Sequence, residues 1–363
     1  MSRGRGWCVA AAVLLAASAC TPAPEPQPAP TTPSATPSLS EQVEEVFTSA
    51  SGVFQGYGDV RALLVVMDGD TVLERYAAST PQSTHDVYSV TKSVMSLLIG
   101  IALEEGHLTS VDQTLGELLP AYVPVMDPAV EAATLRQVLT MTAGLRVGDP
   151  IITETTDLVA ETVADSYPAP AGGPFSYSNY GSHLLSAILV EATGVPTLDY
   201  AREHLFEPLG IASDPAAEPL AIEANQAVYD EAAFAWPVDP QGRHLGYAHL
   251  KLTPQDMLAL GQLMLDGGSA GGRQIVPADW VSEATRPLVD LGDGVGYGYQ
   301  WWATAADGHD AFAAAGFGGQ LIEVVPDLDL VVVAATAVPE NPAMDAGPLI
   351  GLVDEVIAPA LAP

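Results

Sequence analysis

Apolar and polar residues follow three rhythms along this chain, and each predicts a different kind of element. Apolar-rich runs at 62–67 and 71–78 flank Asp68-Gly69, which predicts a β-hairpin. Ser40 is placed to cap a short helix through Glu41–Phe47. Val90–Glu105 is apolar almost all round, which predicts a buried helix ended by Gly106. From about 107 to 285 the pattern is mostly helical. It predicts Thr134–Thr142 with Gly144 beyond it, Tyr180–Thr193 ended by Gly194, Leu198–Leu209 ended by Gly210, and Pro254–Leu265. The rhythm then changes to strands at Tyr297–Trp302, Phe312–Ala315, Gln320–Val325 and Leu330–Ala335. A last helix is expected over Pro348–Ile357, with Pro348 suited to its first position. Short turns between successive strands, such as Pro326-Asp327, imply antiparallel pairing. The expected fold is α/β: an antiparallel sheet flanked by helices, with an inserted mostly helical domain. The folded domain is read as 41–363, its α/β part about 41–106 and 286–363, its helical part about 107–285.

The first forty residues have a different character. Arg3 and Arg5 precede an apolar run from Trp7 to Ala19, too short to span a bilayer comfortably and shaped like an export signal. Ala17-Ser18-Ala19 before Cys20 resembles a bacterial lipoprotein signal: residues 1–19 are removed and Cys20 is lipidated. The alternative is an ordinary signal cut near Cys20. Cys8 would leave with the signal, so no disulfide is expected in the mature chain. Residues 21–40 read TPAPEPQPAPTTPSATPSLS, an extended Pro-rich linker with nothing to bury. The expectation is an exported domain, lipid-anchored on the outer face of a bacterial cell membrane.

Composition narrows the function by exclusion. The chain carries 45 Asp+Glu against 12 Lys+Arg, a net charge of -33. Nucleic-acid binding needs clustered cations, so no nucleic-acid partner is expected. Only two lysines are present, Lys92 and Lys251, which makes each position informative. The seven histidines are scattered, so neither a metal nor a cofactor is expected.

Three segments carry candidate chemistry. In Tyr88-Ser89-Val90-Thr91-Lys92, Ser89 and Lys92 lie one turn apart on one helix face. Desolvation in an apolar helix would disfavour the ammonium and let Lys92 act as a base toward Ser89. The alternative is a Ser cap beside a surface lysine, which the apolar neighbours oppose. In Ser176-Tyr177-Ser178-Asn179-Tyr180, a tyrosine near a cation could relay a proton, and Asn179 could orient Lys92 or a substrate amide. The same residues could merely cap the next helix. In Ala314-Ala315-Gly316-Phe317-Gly318-Gly319-Gln320, Gly316 would let a substrate backbone approach a strand. The Phe317 and Ser89 amides could then form an oxyanion hole. A plain Gly-rich hairpin turn is the alternative. Gly267-Gly268-Ser269-Ala270-Gly271 matches a nucleophile-elbow pattern but follows a helix, so a loop is expected. Tyr297, Tyr299, Trp301 and Trp302 alternate, so only some can line a pocket.

Taken in order, these motifs resemble the serine β-lactamase and penicillin-binding-protein superfamily, nearest its class C and esterase members. TLRQVLTMTAGL (134–145), LTPQDMLALGQLMLDGG (252–268) and GYGYQWW (296–302) belong to the resemblance. YSVTKSVMSLLIGIALEEG and GFGGQ look like the 6-aminohexanoate-oligomer hydrolase branch. The resemblance implies acylation of Ser89, proton work shared by Lys92 and Tyr177, and an oxyanion bound by the amides of Ser89 and Phe317. One departure stands out. Where the third motif usually opens with a cation for a substrate carboxylate, this chain has Ala314. An ester or amide without that carboxylate is therefore the expected substrate. D,D-peptidase or β-lactamase activity remains an alternative, as does a non-catalytic cell-wall-binding lipoprotein on the same scaffold.

Overall fold

The main sheet is drawn from both ends of the folded chain, with the helical stretch between them. The computed structural model describes residues 38–48, 59–164, 172–220, 222, 225–337 and 347–361. The export signal, Cys20, most of the Pro-rich linker and 165–171 of the loop before Tyr177 fall outside them. Among the described residues no helix is long and apolar enough to cross a membrane.

Helix α1 (Leu39–Thr48) opens the described chain. Strands β1 (Asp59–Met67) and β2 (Asp70–Tyr76) form the hairpin around Asp68-Gly69, both at positive φ. Two large helices of the intervening stretch frame the site: α2 (Val90–Glu104) and α3 (Asn179–Thr193). Helix α4 (Pro254–Leu265) starts at a capping box between Thr253 and Asp256. The chain then returns to the sheet through β3 (Val289–Gly292), β4 (Val295–Tyr297), β5 (Trp302–Ala306), β6 (His309–Gly316), β7 (Gln320–Val325) and β8 (Leu330–Ala337). A final helix α5 runs through Gly347–Leu352, a π turn at Val353–Ile357, and Ala358–Leu361.

The eight strands pair in the order β2-β1-β8-β7-β6-β5-β4-β3. Every pairing is antiparallel. Both faces are covered. Ala62, Leu64, Ile322, Val331 and Val333 pack with α2, α3 and α4 in one core. Leu63, Val65, Leu321, Val332 and Ala334 pack with α1 and α5 in a second. Double coverage explains why β8, LVVVAATA, is a continuous apolar run where a half-exposed strand would alternate.

Three expected elements differ. Tyr297–Trp302 is not one strand: β4 ends at Tyr297 and β5 begins at Trp302. Between them the backbone is drawn toward the helical side, where Tyr299 N–H donates to Ala284 O at 2.9 Å and Gln300 N–H to Leu139 O at 3.1 Å. Gln300 takes φ +62° there, which no strand accommodates. The helix expected over Thr134–Thr142 is confined to Leu135–Leu139, stopped before Met141 at φ +58°. Leu198–Leu209 is interrupted by a π turn at Arg202–Phe206. The Ser269 motif lies on a two-residue hairpin with Arg273-Gln274, not on a strand-turn-helix elbow.

Candidate active site

Ser89 is held at the head of α2 by the segment before it. Val87 N–H donates to Leu250 O at 2.9 Å, and Tyr88 N–H to Asp86 Oδ1 at 2.8 Å. Tyr88 takes φ +44°, a strained turn that directs the chain into the helix. Ser89 occupies the cap position, yet its hydroxyl makes no capping hydrogen bond. That hydroxyl accepts instead from Lys92 Nζ at 2.9 Å.

Lys92 is nearly inaccessible, 1% exposed, because α2 is enclosed between the sheet and α3. Its ammonium also donates to the Tyr247 carbonyl at 2.8 Å and lies 4.8 Å from the centre of the Tyr177 ring. Burial pulls its pKa down from 10.5 to about 7, with the charge of Asp149 opposing the drop. A lysine so placed is partly neutral near pH 7 and can accept a proton from Ser89. Burial likewise pushes the Tyr177 hydroxyl up to about 12, against the opposing pull of the Ser89 hydroxyl beside it. Tyr177 thus keeps its proton at neutral pH.

Helix α3 is capped by Ser178, whose Oγ accepts from Gly181 N–H at 2.8 Å. Capping therefore belongs to Ser178 and leaves Tyr177 and Asn179 for other contacts. Tyr177 stacks on Trp302, with ring centres 6.1 Å apart, and Tyr297 closes against both. Asn179 reaches no hydrogen bond with Lys92 among the described residues. Its Nδ2 donates to Asp149, and its buried Oδ1 has no partner among them.

Gly316 ends β6 against the nucleophile segment. A Cβ built there would sit 2.3 Å from the Val87 carbonyl oxygen. The glycine is thus required by the contact between strand and Ser89 loop, where the sequence suggested only an approach to substrate. Gly316→Val should cost roughly 2–3 kcal/mol of stability and lower kcat more than it raises KM. Thermal melts and steady-state kinetics check this; an unchanged melting temperature would mean the two segments are not held in contact. Beyond Gly316, the Phe317 ring sets its edge on Tyr88, centres 5.5 Å apart. Neither Ser89 nor Phe317 N–H has a backbone acceptor among the described residues.

Ser89, Tyr177, Gly316 and Phe317 open onto one cavity of about 620 Å³. Val295, Trp302, Ala315 and Ile350 supply apolar walls, and among the described residues none of those lining it is charged. Ala314 needs correcting. It is fully buried and packs into the core that contains α2, while its neighbours Ala315 and Gly316 line the cavity. Ala314 and Ala315 point to opposite faces of β6, and Gly316, which has no side chain, lines the cavity with its backbone.

The geometry can be set beside known proteins. The beta-lactamase family profile matches residues 53–354. The chain belongs to that family. It is 23% identical over 339 residues to the 6-aminohexanoate-dimer hydrolase of Paenarthrobacter ureafaciens, covering 84% of this chain and 76% of the relative. It is 25% identical over 313 residues to penicillin-binding protein 4 of Amycolatopsis lactamdurans, covering 76% and 80%. Among solved structures it resembles EstCE1, a hydrolase with promiscuous acyltransferase activity, with a TM-score of 0.68 at 18% identity, over 88% of this chain and 98% of that one. The chain is thus a member of the serine hydrolase superfamily of the beta-lactamase type.

Some parts of this family member's site carry no sequence signal. The Tyr247 carbonyl comes from a backbone atom 155 residues from Lys92. His183 is fully buried against Asp239 at 3.1 Å and sets its ring edge on Tyr247. Ile350 and Gly351 bring the last helix into the cavity wall.

Proposed function

We propose that this chain is a serine hydrolase that cleaves esters or amides of neutral acyl groups through an acyl-enzyme on Ser89. The observation that carries the reading is the 2.9 Å contact between Ser89 Oγ and a buried Lys92. Neutral Lys92 takes the Ser89 proton as Oγ attacks the carbonyl. The Ser89 and Phe317 N–H groups bind the oxyanion that forms. Tyr177, in contact with both Ser89 and Lys92, passes the proton to the departing alcohol or amine. Water then attacks the acyl-enzyme by the reverse proton route.

The uncharged, largely apolar cavity favours neutral acyl groups over carboxylate-bearing ones, because a carboxylate there would be desolvated without a cation. The alternative of β-lactamase or D,D-peptidase activity lacks that cation. A non-catalytic binding lipoprotein would need no base beside Ser89. On the same reading the domain acts outside the cytoplasm, tethered through Cys20.

Purified protein should hydrolyse p-nitrophenyl esters of short neutral acids. Its kcat/KM on nitrocefin and on a D-Ala-D-Ala peptide should be lower by about 10²-fold or more. Faster turnover of nitrocefin than of any ester would overturn the preference for neutral acyl groups.

A further inference from the structure

Behind the cavity wall lies an acid that the hydrolytic steps leave unused. Glu323 sits within β7, QLIEVV, every residue of which is buried. Its side chain is completely enclosed. Burial pushes its carboxyl up to about 8, with Thr304 pulling the other way and Asp354 adding to the rise. Glu323 Oε1 accepts from the Thr304 hydroxyl at 2.9 Å, while its buried Oε2 has no partner among the described residues. A half-satisfied buried acid costs stability, so packing alone gives no reason for one in an apolar sheet.

Thr304 connects this acid to the cavity. It lines the same space as Ser89 and Tyr177 and interrupts walls formed by Val295, Trp302, Ala315 and Ile350. A threonine hydroxyl has one proton and two lone pairs. With its proton given to Glu323, the Thr304 oxygen is left as an acceptor.

We propose that Thr304, oriented by Glu323, forms a polar subsite in the acyl cavity that selects apolar acyl chains bearing a hydrogen-bond donor distant from the scissile carbonyl. The class is acyl groups with an internal amide N–H or a hydroxyl. The subsite rests on the reading of Ser89 as the acylated residue. Glu323 acts only through Thr304, as a positioning residue.

The test compares kcat/KM on two matched sets of p-nitrophenyl esters. One set has straight alkanoyl chains. The other has chains of equal length in which a distal methylene pair is replaced by an amide. At the best-fitting length, wild type should prefer the amide member by roughly 3- to 10-fold, the worth of one hydrogen bond. Thr304→Val should abolish or reverse that preference. Glu323→Leu, which frees the Thr304 proton, should weaken it. Glu323→Gln keeps an acceptor for that proton and should retain it, a rescue that a packing role would not produce. Equal rates on both sets in wild type, or an unchanged ratio in Thr304→Val, would overturn the subsite while leaving Ser89 as nucleophile. Turnover of neither set would overturn the reading of Ser89, and the subsite with it.

Discussion

Replacing Lys92 by methionine should make the protein nearly inactive and more stable at once. Activity falls because the Ser89 proton loses the acceptor of suitable pKa beside it; the expected loss in kcat/KM is roughly 10²–10⁴-fold. Stability rises because the folded state no longer holds a buried amine. The sign follows from the depressed pKa, 10.5 in the unfolded chain and about 7 when folded. Below pH 7 folding buries the ammonium at full cost; from pH 7 to 10.5 folding releases its proton and the cost shrinks as pH rises. The cost is on the order of a few kcal/mol, partly offset in the variant by loss of the Lys92–Tyr247 hydrogen bond. A net gain of about 1–3 kcal/mol is therefore expected at pH 7 and below, fading toward pH 10. The same titration governs catalysis: wild-type kcat/KM should rise with pH through about 7 as Lys92 becomes neutral, then level off. Melts of both proteins across pH, with a pH–rate profile, check both halves. A variant that is less stable at every pH would show that Lys92 is not held in a desolvated site.

Replacing Ser89 by alanine should abolish turnover without harming the fold. The hydroxyl caps no helix, and its bonds are to Lys92 and Tyr177 alone among the described contacts. Hydrolysis of a p-nitrophenyl ester should fall on the order of 10⁴–10⁶-fold, since water lacks both the positioned oxygen and its covalent intermediate. The melting temperature should shift only slightly. Residual activity within tenfold of wild type would assign the attack to another group.

Much of this arrangement is legible in the chain, for identifiable reasons. The hairpin at Asp68-Gly69 and helix α2 follow from local rules: a turn dipeptide between apolar runs, and an apolar helix closed by glycine. The order Ser89-x-x-Lys92, Tyr177-x-Asn179 and Gly316 is legible because each motif occupies a few adjacent residues. What escapes depends on tertiary register. The direction of Ala314 is set by which face of β6 meets α2, and a strand shows its alternation but not which face is which. The turn at 298–301 is drawn out of strand geometry by carbonyls of Leu139 and Ala284, far away in sequence. Tyr247 contributes only a backbone oxygen, for which no residue type is diagnostic. Glu323 did leave a trace, a lone acid inside an apolar strand, but its meaning depends on Thr304 reaching across from β5.

The nucleophile itself is tested most directly by intact-mass analysis after exposure to a serine-reactive phosphonate. Wild-type protein should gain one adduct, and fragmentation should place it on Ser89. Ser89→Ala should gain none. Lys92→Met should gain it much more slowly. An unmodified wild type, or an adduct of equal yield in Ser89→Ala, would contradict the assignment of Ser89 as the acylated residue.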